Sequence, residues 1–235
     1  MKKINRKKAG ALPVNSELKF KISESYKVLR TNIMFSLLKP GCKKVVISSS
    51  QAGEGKTTTA VHIAVAMAQM NLKVVLIDTD LRKPKVNQFF GLDNSPGLTN
   101  YLGKLEDVDN IIQKTQYPNL SIISAGIPVP NPSELLSSST MDSFLHELEN
   151  QFEYIIMDTP PLNSVADALP LIKQSDGVVL VIREGSSTYP ELDKTVKSLN
   201  LIDAKILGFV LNRIQVTKKS YYRYGYGNGS YQYDM

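Results

Sequence analysis

A glycine-rich segment between a predicted strand and a predicted helix has the residue types of a phosphate-binding loop. It runs from Ser50 to Thr58 with the sequence Ser-Gln-Ala-Gly-Glu-Gly-Lys-Thr-Thr. Glycines let the backbone wrap around an anion, so that amide groups and the N-terminus of the following helix point at phosphate oxygens. Such loops usually begin with glycine where this chain has Ser50, and a glycine-rich turn with a chance Gly-Lys-Thr is the alternative interpretation.

The same segment contains the groups that a bound nucleotide would need. Lys56 is placed to contact the β- and γ-phosphates, and the Thr57 hydroxyl is placed to ligate Mg²⁺. The residues predicted to bind the phosphates are Gly53, Glu54, Gly55, Lys56, Thr57 and Thr58.

Carboxylates end two other apolar runs of the chain. Asp78 and Asp80 follow Val74-Val75-Leu76-Ile77, and Asp158 follows Tyr154-Ile155-Ile156-Met157. A Mg²⁺ ion that bridges two phosphates takes a hydroxyl and carboxylates as ligands, often through water. A single aspartate at a strand end could equally cap a helix or a turn, but three of them beside a Gly-Lys-Thr loop predict a metal and nucleotide site.

These groups require parallel strands to bring them to one edge of a sheet. Apolar runs predict strands at 44–48, 73–77, 120–123, 154–157, 177–182 and 205–211. Helical spacing predicts helices at 23–38 (with Ser23 as N-cap), 57–70, 133–150, 164–173 and 190–201, and short helices within 84–118. Alternation of strands and helices predicts an α/β fold, a mostly parallel sheet with helices on both faces, in which ligands bind at the carboxyl edge.

Charge and composition limit the classes of function. The 235 residues carry a formal net charge of +6, but five of the positive charges are in residues 1–8. These are Lys2, Lys3, Arg6, Lys7 and Lys8. The remaining chain is nearly neutral, so we expect no nucleic acid partner. A single cysteine excludes an intrachain disulfide, and the lack of a signal peptide or a long apolar run favours a cytoplasmic location.

The two ends of the chain differ from its middle. Residues 1–16 are predicted to be a flexible basic arm, residues 17–214 a single phosphate-loop domain, and residues 215–235 a flexible tail. Six of the eleven tyrosines are in the last fifteen residues: Tyr221, Tyr222, Tyr224, Tyr226, Tyr231 and Tyr233. Because tyrosine and arginine stack on bases, an RNA-contacting segment is the alternative interpretation of the tail.

The combination of Gly-Glu-Gly-Lys-Thr, Val-Val-Leu-Ile-Asp-Thr-Asp-Leu-Arg and Tyr-Ile-Ile-Met-Asp-Thr-Pro-Pro resembles the deviant-Walker group of P-loop NTPases, which includes cell-division and partition ATPases. Within that group the chain, from about residue 20 to its end, resembles the bacterial tyrosine kinases of capsule and exopolysaccharide synthesis. The resemblance implies ATP and Mg²⁺ as cofactors. It assigns phosphate binding to Lys56, metal binding to Thr57, Asp80 and Asp158, and the role of base or orienter for the incoming phenol to Asp78.

The resemblance also assigns roles outside the phosphate loop. Arg82 would bind the γ-phosphate or hold a neighbouring subunit, and Asn212 and Arg213 would lie near the adenine base. Family members dock subunits in a ring of about eight through an E-x-x-R-x-x-R helix. Here the corresponding residues are Glu24, Lys27 and Arg30, and a lysine cannot make the bidentate contact of an arginine.

By the same resemblance the six tail tyrosines are sites of autophosphorylation in trans. The Firmicute-type kinases are separate cytoplasmic chains, so the expected partners are the cytoplasmic tail of a transmembrane adaptor and a cognate tyrosine phosphatase. The expected location is the inner face of the membrane, where residues 2–8 could meet anionic lipid.

Two other functions compete with the kinase. One is a positioning or partition ATPase of the same group. Those ATPases carry an extra lysine where this chain has Gln51, which argues against this function. The other is a nucleotide-gated assembly subunit of polysaccharide export, which would bind ATP without phosphorylating the tail.

Overall fold

The computed structural model describes residues 16–214, in which seven strands form one sheet flanked by helices. The strands are β1 (Lys43–Ser49), β2 (Val74–Asp78), β3 (Gln113–Lys114), β4 (Leu120–Ile123), β5 (Tyr154–Asp158), β6 (Gly177–Arg183) and β7 (Ile206–Asn212). The helices of this part of the chain are α1 (Ser16–Ser36), α2 (Lys56–Ala68), α3 (Val86–Phe90), α4 (Leu98–Leu102), α5 (Val108–Ile111), α6 (Pro132–Leu136), α7 (Ser139–Glu149), α8 (Ala168–Lys173) and α9 (Tyr189–Asn200).

The sheet is parallel except at one edge. Its strand order is β3-β4-β2-β5-β1-β6-β7, and only β3 runs antiparallel to its neighbour. In the centre, β2 and β5 are buried along their whole length. Continuous apolar strands of this kind are typical of a sheet covered on both faces. The register pairs Asp78 of β2 with Asp158 of β5, so two predicted site residues lie side by side where their strands end.

Two separate hydrophobic clusters cover the two faces of the sheet. On one face Ile33 of α1 packs with Ile63 and Met67 of α2. On the other face Phe144 of α7 and Leu171 of α8 lie in a second cluster. Phe144, Ile63 and Met67 are fully buried. This two-sided packing confirms the predicted α/β architecture, and the parallel strand pairing brings the carboxyl ends together at the edge on which the site is built.

Three predicted element boundaries were wrong. Helix α1 begins at Ser16, the last residue of the predicted arm, so Ser23 lies inside the helix and is not its N-cap. The predicted helix 133–150 is two helices, because Ser138 caps α7 by accepting a hydrogen bond from the Met141 amide. The predicted helix 164–173 begins only at Ala168.

Candidate nucleotide-binding and catalytic site

The phosphate loop connects β1 to α2 and depends on glycine at two positions. Gly53 and Gly55 have φ angles of 82° and 102°, which residues with a β-carbon rarely adopt. A β-carbon at Gly55 would also lie 2.0 Å from Nδ2 of Asn212. Helix α2 begins directly afterwards, at Lys56. The backbone conformation therefore favours glycine at both positions, and at Gly55 the Asn212 side chain also leaves little room for a β-carbon.

Lys56 lies between two aspartates that different strands supply. Its Nζ is 2.8 Å from Oδ2 of Asp80 and 3.8 Å from Oδ1 of Asp158. Burial acts to lower the pKa of the amine, but Asp158 and Asp80 outweigh it and raise the pKa above its ordinary value. The amine therefore stays charged and is directed into the predicted phosphate site.

Asp158 has the environment that the predicted metal site needs. Its side chain is buried, its Oδ2 accepts a 2.6 Å hydrogen bond from the Thr57 hydroxyl, and its Oδ1 has no hydrogen-bond partner among residues 16–214. Burial raises the pKa of this carboxyl to about 7. A carboxylate whose second oxygen accepts no hydrogen bond, next to a hydroxyl, fits the hard oxygen donors that Mg²⁺ prefers.

The rest of a metal shell would have to come from the ligand. Among the described residues no group of three histidine, cysteine, aspartate or glutamate side chains has metal-binding geometry. Mg²⁺ in nucleotide sites takes one or two protein oxygens and completes its shell with phosphates and water. The set of Thr57, Asp80 and Asp158 suits that kind of site.

Asp78 is held by the loop that follows its own strand. Its Oδ2 accepts from the Lys85 and Val86 amides at 2.8 and 2.9 Å, and its Oδ1 accepts from the Asp80 amide at 3.2 Å. Burial raises the pKa of Asp78 to about 6, even though the hydrogen bonds from Val86 and Lys85 act to lower it. These contacts fix the loop that carries Asp80 and start helix α3.

Arg82 pairs with a carboxylate that sequence reasoning missed. Its Nε and Nη2 donate to the two oxygens of Asp167 at 2.7 and 3.2 Å, and the Ser133 hydroxyl donates to Asp167 as well. Burial acts to raise the pKa of Asp167, but these hydrogen bonds outweigh it and hold the pKa below its ordinary value. The network ties the loop after β2 to α6 and α8.

The side chain of Glu54 does not face the phosphate site. It is completely buried, and its carboxylate accepts hydrogen bonds from the Gln51 amide and the Ser187 hydroxyl. Of this residue only the backbone amide remains available to a phosphate. Neither Ser187 nor the contact that it makes carried a signal in the sequence.

The two residues predicted near the base lie at the end of β7. Asn212 donates from Nδ2 to the carbonyl of Glu54 at 2.9 Å and accepts from the Arg213 amide at 2.8 Å. Arg213 is exposed and has a positive φ of 57°. Asn212 therefore lies against the phosphate loop, and the predicted contact of either residue with adenine remains a prediction.

The predicted oligomerisation residues lie on α1, away from the phosphate loop in sequence. Lys27 and Glu24 form an ion pair at 2.7 Å on the helix surface, and the Arg30 guanidinium donates to the carbonyl of Ala66 in α2 at 3.0 Å. Arg30 is thus partly engaged within its own chain. The six tail tyrosines and the basic residues 2–8 lie outside the described residues.

No helix between residues 16 and 214 is both long enough and apolar enough to span a bilayer.

The phosphate loop, the lysine that opens α2 and the aspartates at the ends of β2 and β5 define a P-loop nucleotide-binding domain. A family model described as an AAA domain matches residues 42–207. The crystal structure of the chimerical protein CapA2B2 superposes with a TM-score of 0.79, at 35% identity, over 83% of this chain and 86% of that chain.

Relatives of known sequence show which kind of P-loop protein this chain resembles. The chain is 41% identical to the tyrosine-protein kinase YwqD of Bacillus subtilis, over 86% of this chain and 85% of that protein. It is 37% identical to the putative tyrosine-protein kinase CapB of Staphylococcus aureus, over 92% of this chain and 95% of that protein. The chain belongs to the family of bacterial tyrosine-protein kinases, which confirms the predicted family and enzyme class.

Proposed function

We propose that the protein uses MgATP to phosphorylate tyrosines in the tail of a neighbouring copy. The observation that carries this proposal is the buried Asp158. Its Oδ2 accepts from the Thr57 hydroxyl, and its Oδ1, which accepts no hydrogen bond within residues 16–214, lies 3.8 Å from the Lys56 amine. A hydroxyl, a carboxylate and an amine converge on the phosphate loop, as transfer of a γ-phosphoryl group requires. Relatives named tyrosine-protein kinases support tyrosine as the acceptor.

The residues of the chain divide the work of the reaction. The loop amides and Lys56 hold the phosphates, and Thr57, Asp80 and Asp158 would hold Mg²⁺, which supplies charge neutralisation when it is bound. The phenol oxygen forms a bond to the γ-phosphorus while the bond to the bridging oxygen of ADP breaks. Asp78 accepts the phenol proton, and its pKa of about 6 makes it a stronger base than an ordinary aspartate.

The tail and the partners complete the proposal. Tyr221, Tyr222, Tyr224, Tyr226, Tyr231 and Tyr233 are the proposed acceptors. Six phosphates would add roughly −9 to −12 charges, and this repulsion would release a ring of subunits docked through the helix that carries Glu24, Lys27 and Arg30. The cytoplasmic tail of a transmembrane adaptor would activate the kinase at the inner membrane face, and a tyrosine phosphatase would reverse the reaction. The pathway served would be the synthesis and export of capsule or exopolysaccharide.

Phosphotyrosine formation on the purified full-length chain tests this function. With MgATP and an adaptor tail peptide, we expect ATP-dependent labelling of the tail, and we expect Lys56→Met to abolish it. A catalytically inactive Lys56→Met chain with an intact tail should be labelled by a wild-type chain, because the reaction is in trans.

The competing functions give different results in the same assay. A positioning ATPase would release phosphate without labelling the tail, and an assembly subunit would do neither. A variant with all six tail tyrosines changed to Phe should lose labelling as an acceptor, and strong labelling of that variant would contradict the proposed acceptor sites.

A further inference from the structure

The outer side of the phosphate loop packs against the segment between β6 and α9. We call residues 184–188 the β6–α9 loop. Its Ser187 hydroxyl donates to the carboxylate of Glu54, and the Ser187 hydroxyl oxygen in turn accepts a 3.0 Å hydrogen bond from the Arg183 amide. The β6–α9 loop is therefore fixed to strand β6 on one side and to the phosphate loop on the other.

Glu54 is the point at which these contacts converge. Its carboxylate also accepts from the Gln51 amide at 2.9 Å, which closes the phosphate loop on itself. Its carbonyl accepts from Asn212 Nδ2 at 2.9 Å, at the end of β7. One residue thus connects the start of the phosphate loop, the β6–α9 loop and the last strand.

A second contact joins the same two segments. Gln51 Nε2 donates to Oε1 of Glu191 at 3.1 Å. The other carboxylate oxygen of Glu191 accepts from the amide and the hydroxyl of Thr188, at 3.0 and 2.8 Å, and so caps helix α9. Hydrogen bonds to Thr188 hold the pKa of Glu191 below its ordinary value. The first turn of α9 therefore supports the phosphate loop next to the Glu54 contact.

The buried carboxylate of Glu54 depends on its hydrogen-bond donors for its stability. The carboxylate is completely buried, and within residues 16–214 no lysine, arginine or histidine lies within ion-pair distance of it. A buried carboxylate without a counter-ion depends on its hydrogen-bond donors, and the loss of one donor costs the desolvation energy of the group. The shape of the phosphate loop is therefore tied to the position of Ser187.

We propose that Glu54 and Ser187 are positioning residues that hold the phosphate loop in its anion-binding shape. Neither side chain touches the nucleotide in this proposal. They act through the loop amides, so that a displacement of the β6–α9 loop would weaken the grip on the phosphates. The inference rests on the proposed function only in assuming that the loop binds a phosphate chain.

Binding of a phosphate chain that has no base isolates this effect. The dissociation constants of MgATP and of magnesium tripolyphosphate would be measured by calorimetry for the wild type, Ser187→Ala, Ser187→Thr and Glu54→Gln. Because one hydrogen bond to a charged group is lost, we expect Ser187→Ala to raise the dissociation constants of both ligands by the same factor, about tenfold. Ser187→Thr keeps the hydroxyl and should bind both ligands as the wild type does.

Glu54→Gln tests the same contact from its other end. The Glu54 carboxylate accepts from two donors, the Gln51 amide and the Ser187 hydroxyl, whereas a glutamine offers only one oxygen. We therefore again expect the dissociation constants of both ligands to rise by a common factor. If this variant does not fold, Ser187→Ala decides alone. Ser186→Ala is the matched control, since its neighbouring hydroxyl makes none of the hydrogen bonds described, and it should leave both constants unchanged.

Three other binding results would overturn the proposal. Unchanged binding of tripolyphosphate by Ser187→Ala would show that the contact does not position the loop, even if the thermal midpoint fell. If Ser187→Ala weakened the binding of MgATP but not that of tripolyphosphate, Ser187 would act on the adenine base and not on the phosphates. Failure of the wild type to bind tripolyphosphate would remove the premise. Failure of tail labelling with intact binding would refute the kinase proposal and leave this one standing.

Discussion

The phosphate loop has a buried carboxylate on its inner side, which faces Lys56, and another on its outer side, which faces the β6–α9 loop. The two carboxylates differ in whether both of their oxygens accept hydrogen bonds. On the inner side Asp158 has an oxygen without a hydrogen-bond partner among the described residues, and the pKa of its carboxyl is raised to about 7 by burial. On the outer side both oxygens of Glu54 accept hydrogen bonds. The inner side is left incomplete in a way that a cation and a phosphate chain would complete, whereas the outer side is complete within the protein.

The difference shows how a fold can keep a reactive site in shape. A group whose hydrogen-bonding capacity is unfilled costs stability, and such groups concentrate where function requires them. Their geometry then has to be maintained by neighbouring residues whose own contacts are satisfied. In this chain Glu54, Gln51 and Glu191 form that support on the side of the loop away from the chemistry.

Lys56→Met should give the largest effect on the inner side. It removes the amine that lies between Asp80 and Asp158 and would face the phosphates. Loss of a preorganised charge in such a site costs about 10³-fold in rate, so we expect tail labelling to fall by that factor. Quantitative phosphotyrosine detection measures it, and Lys173→Met, an exposed lysine at the end of α8, is the control. A loss of less than tenfold would contradict the assigned role.

Asp158→Asn should reduce the rate about 10²-fold, less than the loss of the lysine. Asparagine keeps an acceptor for the Thr57 hydroxyl but removes the charge beside the predicted metal. The apparent Mg²⁺ requirement should rise with it, which a titration of labelling rate against Mg²⁺ would show. An unchanged Mg²⁺ dependence would separate Asp158 from the metal.

Asp167→Asn should have a smaller effect, about tenfold on the rate, because it acts through Arg82. Asp80 lies close enough to raise the pKa of Arg82, although less than Asp167 does. An arginine freed from Asp167 could therefore turn to Asp80 and compete with Lys56. Asp176→Asn is the control. This aspartate accepts a 2.7 Å hydrogen bond from the Lys44 amide near the amino-terminal end of β1, the end opposite the site. Equal rate losses in the two variants would show that the effect is only structural.

The inner side of the site could be predicted from the sequence to a large extent. Apolar runs that end in Asp78 and Asp158 predict strands, and parallel strands bring their carboxyl ends together, as the pairing of these two residues in the sheet confirms. Lys56 and Thr57 follow a glycine-rich turn whose geometry is local. The chemistry there is encoded in short segments with a regular pattern.

The contacts of the outer side and the pairing of Arg82 could not be predicted, because they join distant loops. Glu54 and Ser187 are 133 residues apart, and Arg82 and Asp167 are 85 apart. Polar residues in loops have no periodicity that indicates a partner, and the path of the chain between them depends on tertiary packing. The start of α1 was missed for a different reason, since Leu18, Phe20 and Ile22 in its first turns alternate with polar residues and do not recur at helical spacing.

The smallest effect is a change of thermal stability that should have opposite signs on the two sides of the loop. Burial raises the pKa of Asp158 from its ordinary 3.8 to about 7. The folded protein therefore binds a proton that the unfolded chain releases, and the stabilisation present below about pH 4 is lost as the pH rises through about 7. At pH 8, without Mg²⁺ or nucleotide, Asp158 is charged at a cost that asparagine does not have.

We therefore expect Asp158→Asn to raise the thermal midpoint of the ligand-free protein at pH 8 by about 3 °C, which corresponds to roughly 1 kcal/mol. The gain should vanish near pH 4. Glu54→Gln should lower the midpoint by a similar amount, because it breaks a contact in which both carboxylate oxygens accept hydrogen bonds. Calorimetric scans with EDTA at the two pH values measure both. If both variants were destabilised at pH 8, Asp158 would be as well satisfied as Glu54, and the contrast between the two sides of the loop would not hold.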